Sequence, residues 1–332
     1  MTLNRRTFAL SASALGCALA LPLGLAGAAY AQSDYPTRSI TLLVPFPPGG
    51  SADTVIRPVA QKVSDALKQP ILIDNRTGAG GNVAALATKQ SAPDGYTLFL
   101  TNMGVMSVNP FLFSDLRFDP MKDFAPITPI ISFPHILIVP PDSPVKTLAD
   151  LAALAKTKPG GLSFGSQGVG SGGQIIGEMF KTRLGVPMVH VPFRGAAPAV
   201  TEVMAGRIDF LFTSYISAGE QANSGKVRLI AIGGKKRIDA APNIPTVAEA
   251  GFPGLDLDMW HGMVAPAGTP PAIVKRLNEE FVKAARSPDI ARLIAAQATD
   301  IAVTSPEEFT KMIASDTERL GKIMREAGIK AQ

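Results

Sequence analysis

The sequence predicts an α/β protein of two lobes, each a sheet flanked by helices, joined by two extended crossings. Short β-branched runs alternate with helical patterns along the chain, which is typical of parallel sheets covered by helices. About 300 residues follow an N-terminal leader, so we expect two domains of roughly 100–200 residues each. Two long, proline-punctuated, strand-like segments divide the alternating pattern.

The leader predicts export to the periplasm. Arg5 and Arg6 precede an apolar run without charges, which ends in the small-x-small pattern Ala29-Tyr30-Ala31. This is the pattern of a cleaved signal peptide over residues 1–31. The arginine pair followed by Thr and Phe resembles a twin-arginine signal, and the general secretory route stays open. A lipid-modified Cys17 fits less well, and proline and glycine residues interrupt the run, which argues against a membrane anchor.

Cleavage would leave a chain with no cysteine and a small positive charge. The only cysteine lies in the leader, so we expect no disulfide, thiol nucleophile or thiolate metal site. Two of the 32 basic residues and none of the 27 acidic ones are removed, so the formal charge falls from +5 to +3. The basic residues are spread along the chain, which argues against nucleic-acid binding. His135, His190 and His261 lack metal-ligand spacing, so we predict no metal site.

The elements follow in a regular order. The first third predicts the strand SITLLVPF, the helix DTVIRPVAQKVSDALK, the strand PILIDN, the helix GGNVAALATKQSA and, after a PDG turn, the strand YTLFLT. The middle predicts LSFGS, QIIGEMFKTRL, MVHVPF, PAVTEVMAG, IDFLFTS and VRLIAIGG, again alternating. The C-terminal part predicts two helices that start at Pro270-Pro271 and Ser305-Pro306, since such residues mark helix N-termini.

The two extended segments, Phe124–Pro144 and Gly251–Pro271, predict two crossings between domains. Two crossings make one domain discontinuous. We therefore assign residues 32–132 with 256–332 to lobe 1, and residues 133–255 to lobe 2. This is the plan of a hinged two-lobe binding protein, which we expect to be a monomer without catalytic residues.

Three glycine-rich turns sit between a strand and a helix: Pro47–Ser51, Gly165–Gln174 and Phe193–Ala199. Ligands bind at this edge of open α/β sheets. A helix start presents unpaired N–H groups and about half a positive charge, and glycine lets the backbone approach a ligand closely. No lysine follows the first glycines, as a nucleotide-binding P-loop would require. The turns are therefore suited to a small carboxylate.

Several residues near these turns have two interpretations that the sequence leaves open. Asp53 either caps its own helix or orders a water that bridges to the ligand. Arg194 is either a solvated surface residue or an additional positive charge at the third turn. Trp260, the only tryptophan, either packs in the core or stacks on a ligand at the cleft.

An exported NADP-dependent oxidoreductase is the alternative from another functional class. Gly168, Gly170 and Gly173 form a G-x-G-x-x-G pattern after a strand, and Arg194 follows about 20 residues later, as in an NADP site. The pattern is weak alone, and it accounts for neither the first turn nor the two crossings. No Ser-His-Asp set that would support a hydrolase is suggested. We expect no cofactor.

The chain resembles the extracytoplasmic solute-binding receptors of the tripartite tricarboxylate transporters, the Bug or TctC-like family. The resemblance covers essentially the whole mature chain. It rests on the motifs YPTRSITLLVPFPPGGSADTV, DNRTGAGGN, APDGYTL, DFAPIT, VHVPFRG, NIPTVAEAGFPG and VAPAGTPPAIV. The resemblance implies a type II-like periplasmic binding protein fold that closes on a small carboxylate, with ordered waters bridging to it. Large and small membrane subunits would be its transport partners.

Carried over by motif, the resemblance implies the ligand loops Pro48–Asp53, Ser166–Gln174 and Arg194–Ala196. The candidate ligand-binding residues as a whole lie on the three turns, at the ends of neighbouring strands and on the second crossing. They are Phe46, Pro48, Gly49, Gly50, Ser51, Asp53, Thr101, Asn102, Ser166, Gln167, Gly168, Gly170, Ser171, Gly172, Gly173, Gln174, Arg194, Gly195, Ala196, Thr213, Ser214 and Trp260.

The chain departs from the family pattern at several of these positions. Many relatives have histidine where Gln174 stands, proline where Thr77 stands and Asp-Asn where Thr213-Ser214 stand. An aromatic Phe is common where His261 stands. The missing acid at Thr213 removes a partner for a ligand amine, which argues against amino-acid ligands.

Overall fold

The computed structural model describes residues 35–49 and 51–326. The predicted signal peptide lies outside these residues. The first half of the described chain contains, in order, β1 Ile40–Val44, α1 Ser51–Leu67, β2 Ile71–Asn75, α2 Asn82–Lys89, β3 Thr97–Asn102, α3 Asn109–Leu112 and β4 Phe124–Val139. A 3-10 turn precedes α2 at Ala79–Gly81, and a π-helical turn, Gly104–Val108, joins β3 to α3.

The second half continues the alternation. It contains α4 Leu148–Thr157, β5 Leu162–Ser166, α5 Gly172–Leu184, β6 Met188–Pro192, α6 Ala196–Met204, β7 Phe210–Ser214, α7 Tyr215–Asn223, β8 Arg228–Ile232, β9 Asp258–Pro266, α8 Pro271–Ala285, α9 Pro288–Ala295, β10 Asp300–Ile301 and α10 Pro306–Glu326. The predicted starts of α8 and α10 are confirmed, because the proline signals that mark them act locally.

The described strands form a mixed sheet in the order β2-β1-β3-β9-β4-β7-β5-β6, with β8 and β10 also paired to β4. β1 is parallel to β2 and β3, and β5 is parallel to β6 and β7. β4 and β9, however, are antiparallel to each other and to their other neighbours. The parallel pairing predicted for the short alternating strands is confirmed for β1 with β2 and β3 and for β5 with β6 and β7. It is wrong for β8, which pairs antiparallel with β4. Strand direction depends on distant pairing, which a local apolar run does not reveal.

The two predicted extended segments lie side by side in the sheet. Phe124–Pro134 of β4 pair with β9, whereas the residues from His135 to Val139 pair with β7 and β8. The register shifts after Pro126 and after Pro129, because proline donates no ladder hydrogen bond. β4 thus passes from the β1–β3 side of the sheet to the β5–β7 side. The described residues from Pro36 onward belong to one compact unit, and the lobe boundaries stay a prediction.

Helices pack on both ends of this sheet. α8 and α10 pack on β4, and α1 packs on α8. Fully buried phenylalanines fill the core, namely Phe99, Phe164, Phe180, Phe210, Phe212, Phe281 and Phe309. In the part of the chain that the structure describes, no helix combines the length and apolarity needed to cross a bilayer.

Candidate functional site

The first glycine-rich turn is held by Asp53. Its buried carboxylate accepts hydrogen bonds from the Gly49 N–H at 2.9 Å and from Arg57 Nε at 2.7 Å. Asn75 Nδ2 donates to the Phe46 carbonyl at 2.8 Å, which closes the turn from the β2 side. Burial opposes ionisation of Asp53, but these hydrogen bonds outweigh it and lower the pKa of Asp53 below its usual value.

The structure therefore favours the capping interpretation of Asp53. Its carboxylate occupies the Gly49 amide, which the sequence assigned to the ligand, so the turn offers fewer free donors than predicted. Gly49 itself has a φ of +80°, with nothing within 4 Å of an added Cβ. Pro48 lies in this exposed turn and Ser51 begins α1, while Gly50 lies outside the described residues. Contact of this turn with a ligand stays a prediction.

The second turn joins β5 to α5 and is closed by its own side chains. The Ser171 hydroxyl donates to the Gly168 carbonyl at 2.6 Å, and the Gly170 N–H donates to Gln174 Oε1 at 2.8 Å. Ser166 Oγ lies 2.7 Å from His190 Nε2, and Gln167 Nε2 donates to the Phe212 carbonyl at 2.9 Å. These bonds make the turn rigid before any ligand arrives.

The start of α5 has free donors nonetheless. Ser171 is the N-cap residue, but its side chain does not cap the helix. The first N–H groups of a helix have no intrahelical partner, which here concerns Gly172, Gly173 and Gln174. An added Cβ at Gly173 would collide with the Phe212 carbonyl, so glycine is required for α5 to approach β7. The α5 start therefore presents free backbone N–H donors, which its close packing on β7 holds in place.

The third turn is bonded to the second. The Phe193 N–H donates to the Ser166 carbonyl at 3.0 Å, and the Gly195 N–H donates to the Gln167 carbonyl at 3.1 Å. Gly195 has a φ of +107° and precedes Ala196, the first residue of α6. The Arg194 side chain is exposed and makes no hydrogen bond or ion pair with the described residues, so the structure leaves both of its interpretations open.

The second turn also lies against the loops that follow β3. An added Cβ at Gly104 would stand 2.8 Å from both Asn102 Oδ1 and the Gly170 carbonyl. An added Cβ at Gly170 would stand 2.6 Å from Asn109 Oδ1. Asn102 Oδ1 accepts the Val105 N–H at 3.1 Å, which fixes the turn after β3. The structure thus brings predicted residues from the two ends of the sheet together.

The remaining predicted residues differ in their surroundings. Thr101 and Thr213 are fully buried, and their hydroxyls have no hydrogen-bond partner among the described residues. Ser214 Oγ lies 2.8 Å from Ser217 Oγ. Trp260 donates its indole N–H to Asp316 of α10 at 2.9 Å and packs edge-on against Phe309. This placement favours the packing interpretation of Trp260, and its contact with a ligand stays an untested prediction.

Sequence reasoning missed two residues at the centre of this region, His135 and His261, which we call the histidine pair. His135 Cε1 lies 2.7 Å from the position of an added Cβ on Gly172, at the start of α5. The His261 ring centroid lies 5.2 Å from the Phe46 ring, and the Phe133 ring packs against both histidines. The signal was present, because each extended segment carries one histidine within an apolar run.

The histidine pair is buried, uncharged and incompletely hydrogen-bonded. Both Nδ1 atoms are inaccessible to solvent and have no partner among the described residues. Burial lowers the pKa of His135 to about 4, and a hydrogen bond with the Gln167 side chain partly opposes this. Burial and, secondarily, His135 lower the pKa of His261 to about 3. The rings are therefore neutral at pH 7, with a buried nitrogen on each left for another partner.

A metal site and a separate cavity are the two other kinds of candidate site. Within the described residues, no cluster of His, Cys, Asp and Glu could hold a metal ion. A cavity of about 570 Å³ lies elsewhere, between the end of β4, α7 and the Ala240–Ile244 segment. Its cation, Arg228, donates to the carbonyls of Pro141, Ser143 and Val145 and is thereby committed to the fold.

The chain matches one protein family and several solved structures. A sequence model described as "Tripartite tricarboxylate transporter family receptor" matches residues 55–329. The structure "R. palustris Rpa4515 with adipate" is 32% identical, with a TM-score of 0.85, covering 90% of this chain and 100% of that chain. The periplasmic binding protein BugD is 28% identical, with a TM-score of 0.82, covering 90% of this chain and 100% of that chain.

A third structure also carries a bound carboxylate. It is MatC from Rhodopseudomonas palustris with bound malate, which is 30% identical. The match has a TM-score of 0.81 and covers 87% of this chain and 99% of that chain.

Proposed function

Because the chain belongs to the tripartite tricarboxylate transporter receptor family, we propose that it captures a small carboxylate between two lobes in the periplasm. It then delivers the carboxylate to the membrane subunits of a tripartite tricarboxylate-type transporter. Two similar proteins have adipate and malate bound, which supports a carboxylate as the ligand. We propose that the receptor acts as a monomer and has no catalytic residues.

The uncapped start of α5 carries this proposal. Three amides, those of Gly172, Gly173 and Gln174, have no side-chain cap and lie where the turns after β3 and β5 meet. Charge-assisted hydrogen bonds contribute roughly 1.5–3 kcal/mol each, so three give on the order of 5–9 kcal/mol before the cost of association. Micromolar affinity corresponds to about −8 kcal/mol, and association costs at least about 4 kcal/mol. Additional contacts, from ordered waters or nearby side chains, are therefore required.

The two strands that pass between the ends of the sheet supply a hinge. β4 changes partner at His135, leaving β9 and joining β7 and β8. Rotation about such a pair of strands would open the contact between the second turn and the Gly104 turn. Hinged closure around a ligand is a common device of binding proteins.

The exported NADP-dependent oxidoreductase is the second candidate, and one observation favours it. The G-x-G-x-x-G pattern does lie between a strand, β5, and a helix, α5, as a dinucleotide site requires. Against it, the Gly170 amide is occupied by Gln174 rather than left for a pyrophosphate. A binding assay separates the two candidates.

Thermal-shift measurements on the exported, processed protein test the proposal. The panel is acetate, lactate, malate, adipate, citrate, benzoate and glutamate, with NADPH as a separate arm. A ligand at a hundred times its dissociation constant adds about 2.7 kcal/mol of stability, which raises the Tm by a few degrees for a protein of this size. We expect at least one carboxylate to stabilise the protein and NADPH to have no effect. Stabilisation by NADPH and by no carboxylate would reverse this conclusion.

A further inference from the structure

His135 of the histidine pair stands directly beside the α5 start. His135 Cε1 is 2.7 Å from the position of an added Cβ on Gly172, and Met259 Sδ is 2.6 Å from the same position. Glycine at position 172 is thus required for the first turn of α5 to lie against the ring. His261 belongs to the same cluster through the Phe133 ring, whose centroid lies 6.0 Å from that of His135 and 5.1 Å from that of His261.

The two unpartnered nitrogens are a specific departure from ordinary core packing. His135 is 4% exposed and His261 is 7% exposed, so water does not solvate them freely. Leaving a buried polar group without a hydrogen bond costs about 1–3 kcal/mol. Two such groups in one cluster, beside three uncapped amides, indicate a place where a bound molecule supplies the missing partners.

Among the described residues, no lysine, arginine, aspartate or glutamate shifts the pKa of either member of the histidine pair. Phe46 faces His261 from the first turn, and Asn102 lies opposite His261 across the β3–β9 ladder. Ser214 lies opposite His135 across the β4–β7 ladder, and Gln167 bonds to His135 from the second turn. Besides burial, Gln167 and His135 itself are the groups that shift the two pKa values. The histidine pair can therefore respond strongly to the charge of a bound molecule.

We propose that His135 and His261 contact the carboxylate directly and that its binding brings a proton onto the pair. This inference rests on the proposed function, since it places the anion at the α5 start. An imidazolium beside the carboxylate would form an ion pair with it. The site would thus bury an anion without keeping a permanent positive charge in the empty protein.

The sign of the pH dependence follows from the direction of proton transfer. The free rings are neutral at pH 7, and a carboxylate within about 4–6 Å favours the protonated form. The complex therefore binds more protons than the free protein, and affinity rises as pH falls. One proton taken up gives at most a tenfold decrease in Kd per pH unit, because each pKa unit corresponds to about 1.36 kcal/mol. Between pH 5.5 and 8 the proton uptake is corrected for the ligand's own titration, because the last carboxyl group of a dicarboxylate or tricarboxylate still titrates at the lower end of this range.

Isothermal titration calorimetry tests the inference with the panel carboxylate that stabilises the protein most. Titrations in PIPES and in Bis-Tris, whose ionisation heats differ, give the number of protons taken up. We expect net uptake at pH 6.5 and a Kd that falls severalfold between pH 7.5 and pH 5.5. His261→Phe keeps the ring packing and His135→Asn keeps a polar atom near the Nδ1 position. Each should reduce proton uptake and weaken binding at least about tenfold, or about 1.4 kcal/mol.

His190→Gln is the matched control. His190 is also partly buried, and burial lowers its pKa to about 4, but it pairs with Ser166 rather than with the cluster. Glutamine keeps a hydrogen-bonding group for Ser166, so this variant should retain the proton uptake of the wild type even if changes in the second turn alter its affinity. Binding without proton uptake, with full affinity in His261→Phe and in His135→Asn, would overturn the inference and leave the proposed function intact. Failure of every panel carboxylate to bind would instead overturn the proposed function, and this inference with it.

Discussion

Gly172→Ala tests the role of the α5 start most sharply among single substitutions. The added methyl would lie 2.6 Å from Met259 Sδ and 2.7 Å from His135 Cε1, so one or both side chains must move. Overpacking of this kind costs about 1–3 kcal/mol. Alanine gains up to about 1 kcal/mol over glycine inside a helix, which offsets part of the cost. We expect a net loss of stability of about 1–2 kcal/mol.

The effect on ligand binding should be larger than this loss of stability implies. The methyl group would stand beside His135 at the first turn of α5, which is where we propose that the carboxylate binds. We expect the affinity for the best panel carboxylate to fall at least about tenfold, or about 1.4 kcal/mol. Urea denaturation measures the change in stability, and titration calorimetry on the same preparation measures the change in affinity.

Gly185→Ala at the other end of α5 provides the matched control. Gly185 has a φ of +65°, and nothing lies within 4 Å of an added Cβ, so the cost there is backbone strain alone. Such strain amounts to on the order of 1 kcal/mol. The two variants should lose similar stability, and only Gly172→Ala should lose affinity. Wild-type affinity in Gly172→Ala would refute the assignment of the anion to the α5 start.

Three further predictions concern pH, the first turn and export. The pKa values of the histidine pair, about 4 and about 3, lie below that of an unfolded histidine. The unfolded chain then binds more protons than the folded protein, so the free energy of unfolding should fall as pH drops below about 6.5. Each histidine of the pair should contribute a decrease of up to about 1.4 kcal/mol per pH unit. Denaturant midpoints that do not change between pH 7.5 and pH 5 would contradict this. Asp53→Asn removes the charge that holds the Gly49 amide and should lower the free energy of unfolding by about 1–3 kcal/mol. The loss should lie toward the lower end of this range, because Arg57 is half-exposed and its ion pair with Asp53 is screened by water. An unchanged urea midpoint would show that the turn does not need the carboxylate. Replacing Arg5 and Arg6 with lysines should reduce periplasmic yield on immunoblots of cell fractions, whereas an unchanged yield would indicate the general secretory route.

The local features of the fold follow from the sequence, and the distant pairings do not. α8 and α10 start at the prolines that predict them, because helix initiation depends on a few adjacent residues. The strand-to-helix turns could be predicted for the same reason, because the local backbone geometry of such a turn favours glycine. The antiparallel pairing of β4 with β9 was missed, because continuous apolar runs carry no information on strand direction.

In the candidate site too, the local features follow from the sequence and the contacts between distant residues do not. The α5 start was predicted from its glycines, and the structure places it against loops from the other end of the sheet. The role of Asp53 could not be decided in advance, because it depends on whether the Gly49 amide turns toward the carboxylate. The histidine pair was overlooked because His135 and His261 are 126 positions apart in the sequence. Only the β4–β9 ladder brings them into one region.

A crystal structure of the protein with its best panel carboxylate would show where the ligand binds. We expect a carboxylate oxygen within about 3 Å of the Gly172 to Gln174 amides, with an imidazole of the histidine pair beside it. Density for the carboxylate in the cavity near Arg228, or at any place where it contacts neither the α5 start nor the histidine pair, would refute binding at this site.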